Sequence, residues 1–190
     1  MTALLPHEPE AQGLLALMLH VEARAAARRG PDGAFVPLDR QDPRLWSRPL
    51  IVEAEEALAR AARARRFGRF QTEAAIQSVH AGAGLSGRAN PRALVALHDL
   101  LAAHAPSIGA GVARAAVHGD AFGPAAGLAL LAAIDPAGVA AYQPYWAVRA
   151  HLLAGAGRAA EARGAYARAI ALVADPALKI HLAERAAALG

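Results

Sequence analysis

The 190-residue chain contains no cysteine. That excludes disulfides and thiolate metal sites, and it fits a reducing compartment, with the cytoplasm as the expectation. Lysine is nearly missing too, since Lys179 stands alone beside nineteen arginines. Aromatic residues make up only 5%, and no apolar–polar alternation runs long enough to build a sheet. The N-terminus carries no basic n-region. The longest apolar run, LLALMLHV from Leu14 to Val21, falls far short of the ~20 residues a membrane-crossing helix needs. A soluble chain with no membrane partner is expected.

What is present is alanine, leucine and arginine. Hydrophobic residues reach 55%, and alanine, which loses no side-chain entropy in a helix, supplies much of that share. The spacing predicts an all-α protein of about nine helices: 9–29, 49–66, 70–81, 91–104, 106–118, 122–133, 142–154, 159–173 and 176–189. Glycine or proline marks the junctions, as tight helix connections require. Residues 1–81 read as an N-terminal three-helix subdomain carrying a loop over 30–48. Residues 82–90 (GAGLSGRAN) read as a linker, and 91–190 as helical repeats continuous with the rest in one domain. Between Tyr142 and Pro176 the pattern fits a tetratricopeptide-like hairpin. Ala150 and Leu153 lie on its first helix, Gly157 makes the turn, and Ala162, Tyr166 and Ala169 form the inner face of its second helix.

Catalytic and cofactor motifs are weak. Residues 82–87 spell a formal GxGxxG, but a helical pattern precedes it and the next acid, Asp99, comes too early for a dinucleotide fold. The eight histidines, among them His20, His80, His98 and His151, form no metal-binding pair, so helix-surface or helix-end positions are expected for them. The serines occupy no nucleophile elbow, and Glu55 and Glu56 read as an exposed pair. No enzyme, cofactor or metal site is expected.

Two stretches stand out. Arg60, Arg63, Arg65, Arg66 and Arg69 crowd ARAARARRFGRF. They read first as a solvated helix end suited to the negative pole of the helix dipole, and less readily as a phosphate-binding patch. The other stretch is FVPLDRQDPRLWSRPLI, residues 35–51. Here Asp42 is placed to cap a turn opened by Pro43, and Trp46 is expected to anchor the crossing in the core. Asp39, Gln41, Asp42 and Arg48, with Arg63, Arg65 and Arg66, are the candidate partner contacts, because loops on rigid scaffolds often carry recognition.

The segments EPEAQGLLALMLHVEAR, GAFVPLDRQDPRLWSRPLI and QTEAAIQSVHA, in that order, resemble the C-terminal extension of one large group of bacterial extracytoplasmic-function (ECF) RNA polymerase sigma factors. The resemblance continues through GRAAEARGAYARAIAL. In that group a tetratricopeptide-like helical domain follows the two promoter-recognition domains. The chain departs from the group's pattern at Ala113, where an asparagine is usual, and at His98, where an aromatic is usual. It contains neither sigma region, so the resemblance implies a piece of a longer factor or a stand-alone version. It also implies a non-catalytic regulatory domain that contacts the sigma core or RNA polymerase, without sequence-specific DNA contact of its own. The alternative is a helical-repeat domain that senses a ligand or peptide.

Overall fold

A computed structural model describes residues 8–190, and the described chain is all helical, with no strand beyond an isolated bridge. Ten α-helices form: α1 (Pro9–Ala23), α2 (Arg48–Ala62), α3 (Arg69–Ser86), α4 (Pro91–His104), α5 (Ile108–Phe122), α6 (Pro124–Ala132), α7 (Pro136–Val139), α8 (Gln143–Gly155), α9 (Ala159–Leu172) and α10 (Pro176–Ala187). Short 3-10 turns at Ala25–Arg28, Leu38–Arg40 and Pro43–Leu45 complete the set. The helix starts follow local chemistry. Proline sits in the first turn of α1, α2, α4, α6, α7, α8 and α10, where its missing N–H costs nothing. Asn90, Ser107, Asp135 and Asp175 accept a hydrogen bond from the backbone N–H two or three residues on, satisfying donors the helix leaves open.

The chain divides into two units. The described residues to Asp32, with Val36–Ala105, make the first; Gly33–Phe35 and Pro106–Gly190 make the second. The division falls after α4 rather than across 82–90. Those residues are not a linker for most of their length, because α3 runs on through Ser86 and ends on Gly87 at φ +69. The left-handed conformation there suits glycine as a helix stop.

In the first unit α1 packs on both α2 and α3, and α3 on α4. The helices approach through their smallest residues: Ala16, Ala57 and Ala74 meet with no exposed surface. At Gly13 a Cβ would sit 2.6 Å from the backbone N of Gln71, so α1 and α3 touch almost backbone to backbone. In the second unit α5–α6 and α8–α9 form antiparallel hairpins, α8 packs on α5 and α6, and α10 packs on α9. Ala150, Leu153, Ala162, Tyr166 and Ala169 are all buried together with Leu182 of α10. Gly157 makes the turn at φ +73. Each thus occupies the place that a repeat hairpin assigns it.

Candidate functional site

The 35–51 crossing is held at both ends by the main chain. Val36 N–H donates to the Arg28 carbonyl (3.0 Å) and Ser47 N–H to the Ala23 carbonyl (2.8 Å). Between them Trp46 is buried, 5% exposed, among Ala23, Ala27, Ile51 and Ala81. The edge of its six-membered ring lies over Gly84, where any side chain would collide with it. One indole thus meets α2, α3 and the turn after α1, as an anchor must. Its Nε1–H finds no acceptor among the described residues, an uncommon state for a buried tryptophan.

That anchor divides the candidate contacts in the crossing. Asp42 is spoken for locally: it accepts from Arg44 N–H (2.9 Å) and from the Arg44 guanidinium (Nε 3.0 Å, Nη2 2.8 Å). The side-chain hydrogen bond from Arg44, ahead of the backbone one, holds its carboxyl below the usual carboxylate range. Gln41 turns inward, donating from Nε2 to the Val36 carbonyl at 3.3 Å, with its Oε1 buried. These two shape the loop. Asp39 and Arg48 are exposed, and neither is paired with a described residue. They are the charges the loop presents.

Arg63, Arg65 and Arg66 lie elsewhere. Arg48 opens α2 and Arg63 caps its far end. Fifteen residues of helix span roughly 22 Å at 1.5 Å per residue, so the candidate residues form two sites at opposite ends of one helix.

Two histidines depart from the surface or helix-end positions expected of them: His20 is 1% exposed and His98 7%. His20 Nε2 lies 3.4 Å from Glu55 Oε1, so Glu55 is not simply half of an exposed acid pair. Burial depresses the His20 pKa, outweighing the upward pull of Glu55, and Arg24 adds to the depression. Arg24 is itself 9% exposed. It donates from Nε to the His20 carbonyl (3.4 Å) and from Nη2 to Gln77 Oε1. Burial, then Arg24, also lowers the pKa of His80. A second, half-buried link joins α1 to α3: Glu10 accepts from Phe70 N–H (2.9 Å), Gln71 N–H (3.2 Å) and Gln71 Nε2 (3.1 Å). The available signal was spacing. Gln12, His20, Ala16 and Ala23 share the buried stripe of α1, so a polar residue on that stripe had to find polar partners.

Among the described residues no three His, Asp or Glu side chains gather as a metal ion would require, and no helix is long and apolar enough to cross a membrane. Residues 82–87 sit on the last turn of α3 and its cap, with no strand before them. Glycine serves there for packing against Trp46 and for the stop at Gly87.

Residues 1–62 match the model of a family of unknown function (DUF6596). The chain is similar to an uncharacterised protein of Rhizobium meliloti (strain 1021), 42% identical over 171 residues, which is 89% of this chain and 40% of that protein. The chain therefore spans about two-fifths of the length of the curated relative it matches. No solved structure matches it.

Proposed function

We propose that this chain is a non-catalytic regulatory module of an ECF sigma factor, acting in the cytoplasm by docking on the sigma core or RNA polymerase. The observation that carries the reading is the 35–51 crossing. Trp46 and two backbone hydrogen bonds fix it, while Asp39 and Arg48 project from it without partners among the described residues. A loop fixed from beneath presents charge at little entropic cost on binding. The resemblance in that same stretch supplies the partner. The larger size of the rhizobial relative agrees with a module carried by a longer protein.

The test is a pull-down between residues 1–190 and the separated sigma core, repeated with Asp39→Arg and Arg48→Glu. Each exposed pair contributes about 1 kcal/mol or less, so single reversals should weaken capture several-fold and the double reversal more. Deleting the module from its parent should change transcription while leaving promoter binding intact. No capture at high micromolar concentration, with unaltered reporter output, would end the docking reading.

One observation favours a ligand- or peptide-sensing alternative. On the second unit His151 of α8 lies 3.5 Å from Asp120 of α5 and 3.3 Å from Arg185 of α10, a polar chain across three helices. A small molecule or peptide that raised the melting midpoint, and lost that effect in His151→Ala, would move the assignment there.

A further inference from the structure

The net charge of the chain is +4. Residues 60–69 hold five arginines and no acid, contributing +5 and leaving the other 180 residues together at −1. All of the positive excess therefore sits in the elbow between α2 and α3. Part of it is used internally. Arg60 donates to Gln12 Oε1 (3.2 Å), Arg69 pairs with Glu73 (2.8 Å), and Arg66 approaches Glu8 only to 3.9 Å. Arg63 and Arg65 are exposed and pair with no described residue.

Two further observations set this elbow apart from an ordinary solvated helix end. The sequence alone offers no run of interleaved aromatics here, but one ring does fall among the arginines: Phe67, between Arg66 and Arg69, is 64% exposed although the core of the same unit has few large side chains. Arg65 holds φ +51, the one non-glycine residue with positive φ among those described. A β-carbon in the left-handed region is unfavourable where glycine would serve at no steric cost. The chain therefore keeps a guanidinium at a position where the backbone prefers none.

We infer that the α2–α3 elbow is a sequence-independent contact for single-stranded nucleic acid. Arg63, Arg65 and Arg66 meet successive phosphates, and the ring of Phe67 stacks on an unpaired base. Guanidiniums pair with phosphate oxygens through two parallel N–H bonds, and an exposed aromatic among them is what distinguishes a strand-binding surface from one for a purely anionic partner. The inference does not rest on the docking reading, whose residues lie at the other end of α2.

The test uses the 190-residue chain and fluorescent oligothymidylate of about twenty nucleotides, with a duplex of equal length and polyglutamate as comparators. Oligothymidylate should bind with a Kd below about 100 µM at low salt, and log affinity should fall against log salt with a slope of about −2, as three phosphate contacts on a single strand predict. The triple reversal R63E/R65E/R66E should weaken binding roughly tenfold or more with the helical circular dichroism unchanged. Phe67→Ala should cost roughly fivefold or more on the single strand and little on the duplex. Arg65→Gly should weaken binding without lowering the melting midpoint, which separates a lost contact from a lost fold. Absent binding at about 100 µM, or binding indifferent to the triple reversal, overturns the inference. Polyglutamate binding as tightly as oligothymidylate, with Phe67→Ala neutral, would also overturn it and assign the elbow to an acidic protein surface.

Discussion

The two units build helical cores that differ in what accompanies alanine. Among the described residues, all six buried polar or charged ones, Gln12, His20, Arg24, Gln71, Thr72 and His98, belong to the first unit. Its apolar contacts are mostly alanine on alanine, with Trp46 as the one large buried ring. The second unit also buries alanines (Ala110, Ala115, Ala150, Ala162, Ala165 and Ala169) but sets them among Val112, Leu131, Val139, Tyr145, Leu152, Leu153, Tyr166 and Leu182, and none of its polar side chains is in that buried set. The first unit thus places polar groups in its core, hydrogen-bonded at Gln12, Arg24 and Gln71 but not at His20 Nε2 or Trp46 Nε1 among the described residues, and an unpaired buried group is costly. The second relies on shape, where a misplaced methyl is costly. Each unit holds one tryptophan, Trp46 or Trp146, so unfolding of each can be followed separately.

The largest expected effect is at Trp46. Truncation to alanine should cost the first unit about 3–5 kcal/mol. The melt should be followed by the emission of Trp146, whose indole N–H donates to the Ala140 carbonyl at 3.2 Å. A second-unit transition that stays in place sharpens the contrast, and one that falls equally would show the two units unfolding as one. Next comes a shape test in the second unit. A Cβ on Gly127 would lie 2.6 Å from the Ala115 carbonyl, a backbone atom with nowhere to retreat. Gly127→Val should therefore destabilise that unit by about 1–3 kcal/mol and leave the Trp46 transition unmoved. Glu10→Ala should cost the first unit about 1–2 kcal/mol, the scale of a lost helix cap, as read from denaturant midpoints.

The smallest effect is set by pH. Burial lowers the folded-state pKa of His20 and of His80, so the unfolded chain takes up those protons first as pH falls. The first unit is then fully stable above the ordinary histidine pKa near 6.5 and loses stability as pH drops below it. Urea midpoints at successive pH values should fall for the Trp46 transition, and His20→Gln should flatten that slope. An equal slope in the Trp146 transition would break the comparison.

Much of the fold was legible because its signals are local. Pro91 and His104 bound α4 as expected, and the hairpin positions around Gly157 fell into place, since caps, turns and spacing act over a few residues. The spacing ends α3 at 81 because GAGLSGRAN reads as a linker. What Gly84 is there for, an indole lying over it, is nearly forty residues away. The docking candidates were only half legible. Asp42 reads as a turn cap from the sequence, but the Arg44 guanidinium folded onto its carboxylate is visible only in the structure. His20 looks like a helix-end residue until Glu55 and Arg24 are seen beside it.

The contact of Ala16, Ala57 and Ala74 has a consequence for how such a protein is interrogated. An alanine scan measures the loss of atoms beyond Cβ, and these positions have none to lose. The method would return silence at a place where α1, α2 and α3 meet with no exposed surface. Sensitivity here runs upward in size, so an informative survey would step through serine, valine and leucine. The residues that scored worst would trace the helix crossings as an impression rather than as a list of energies.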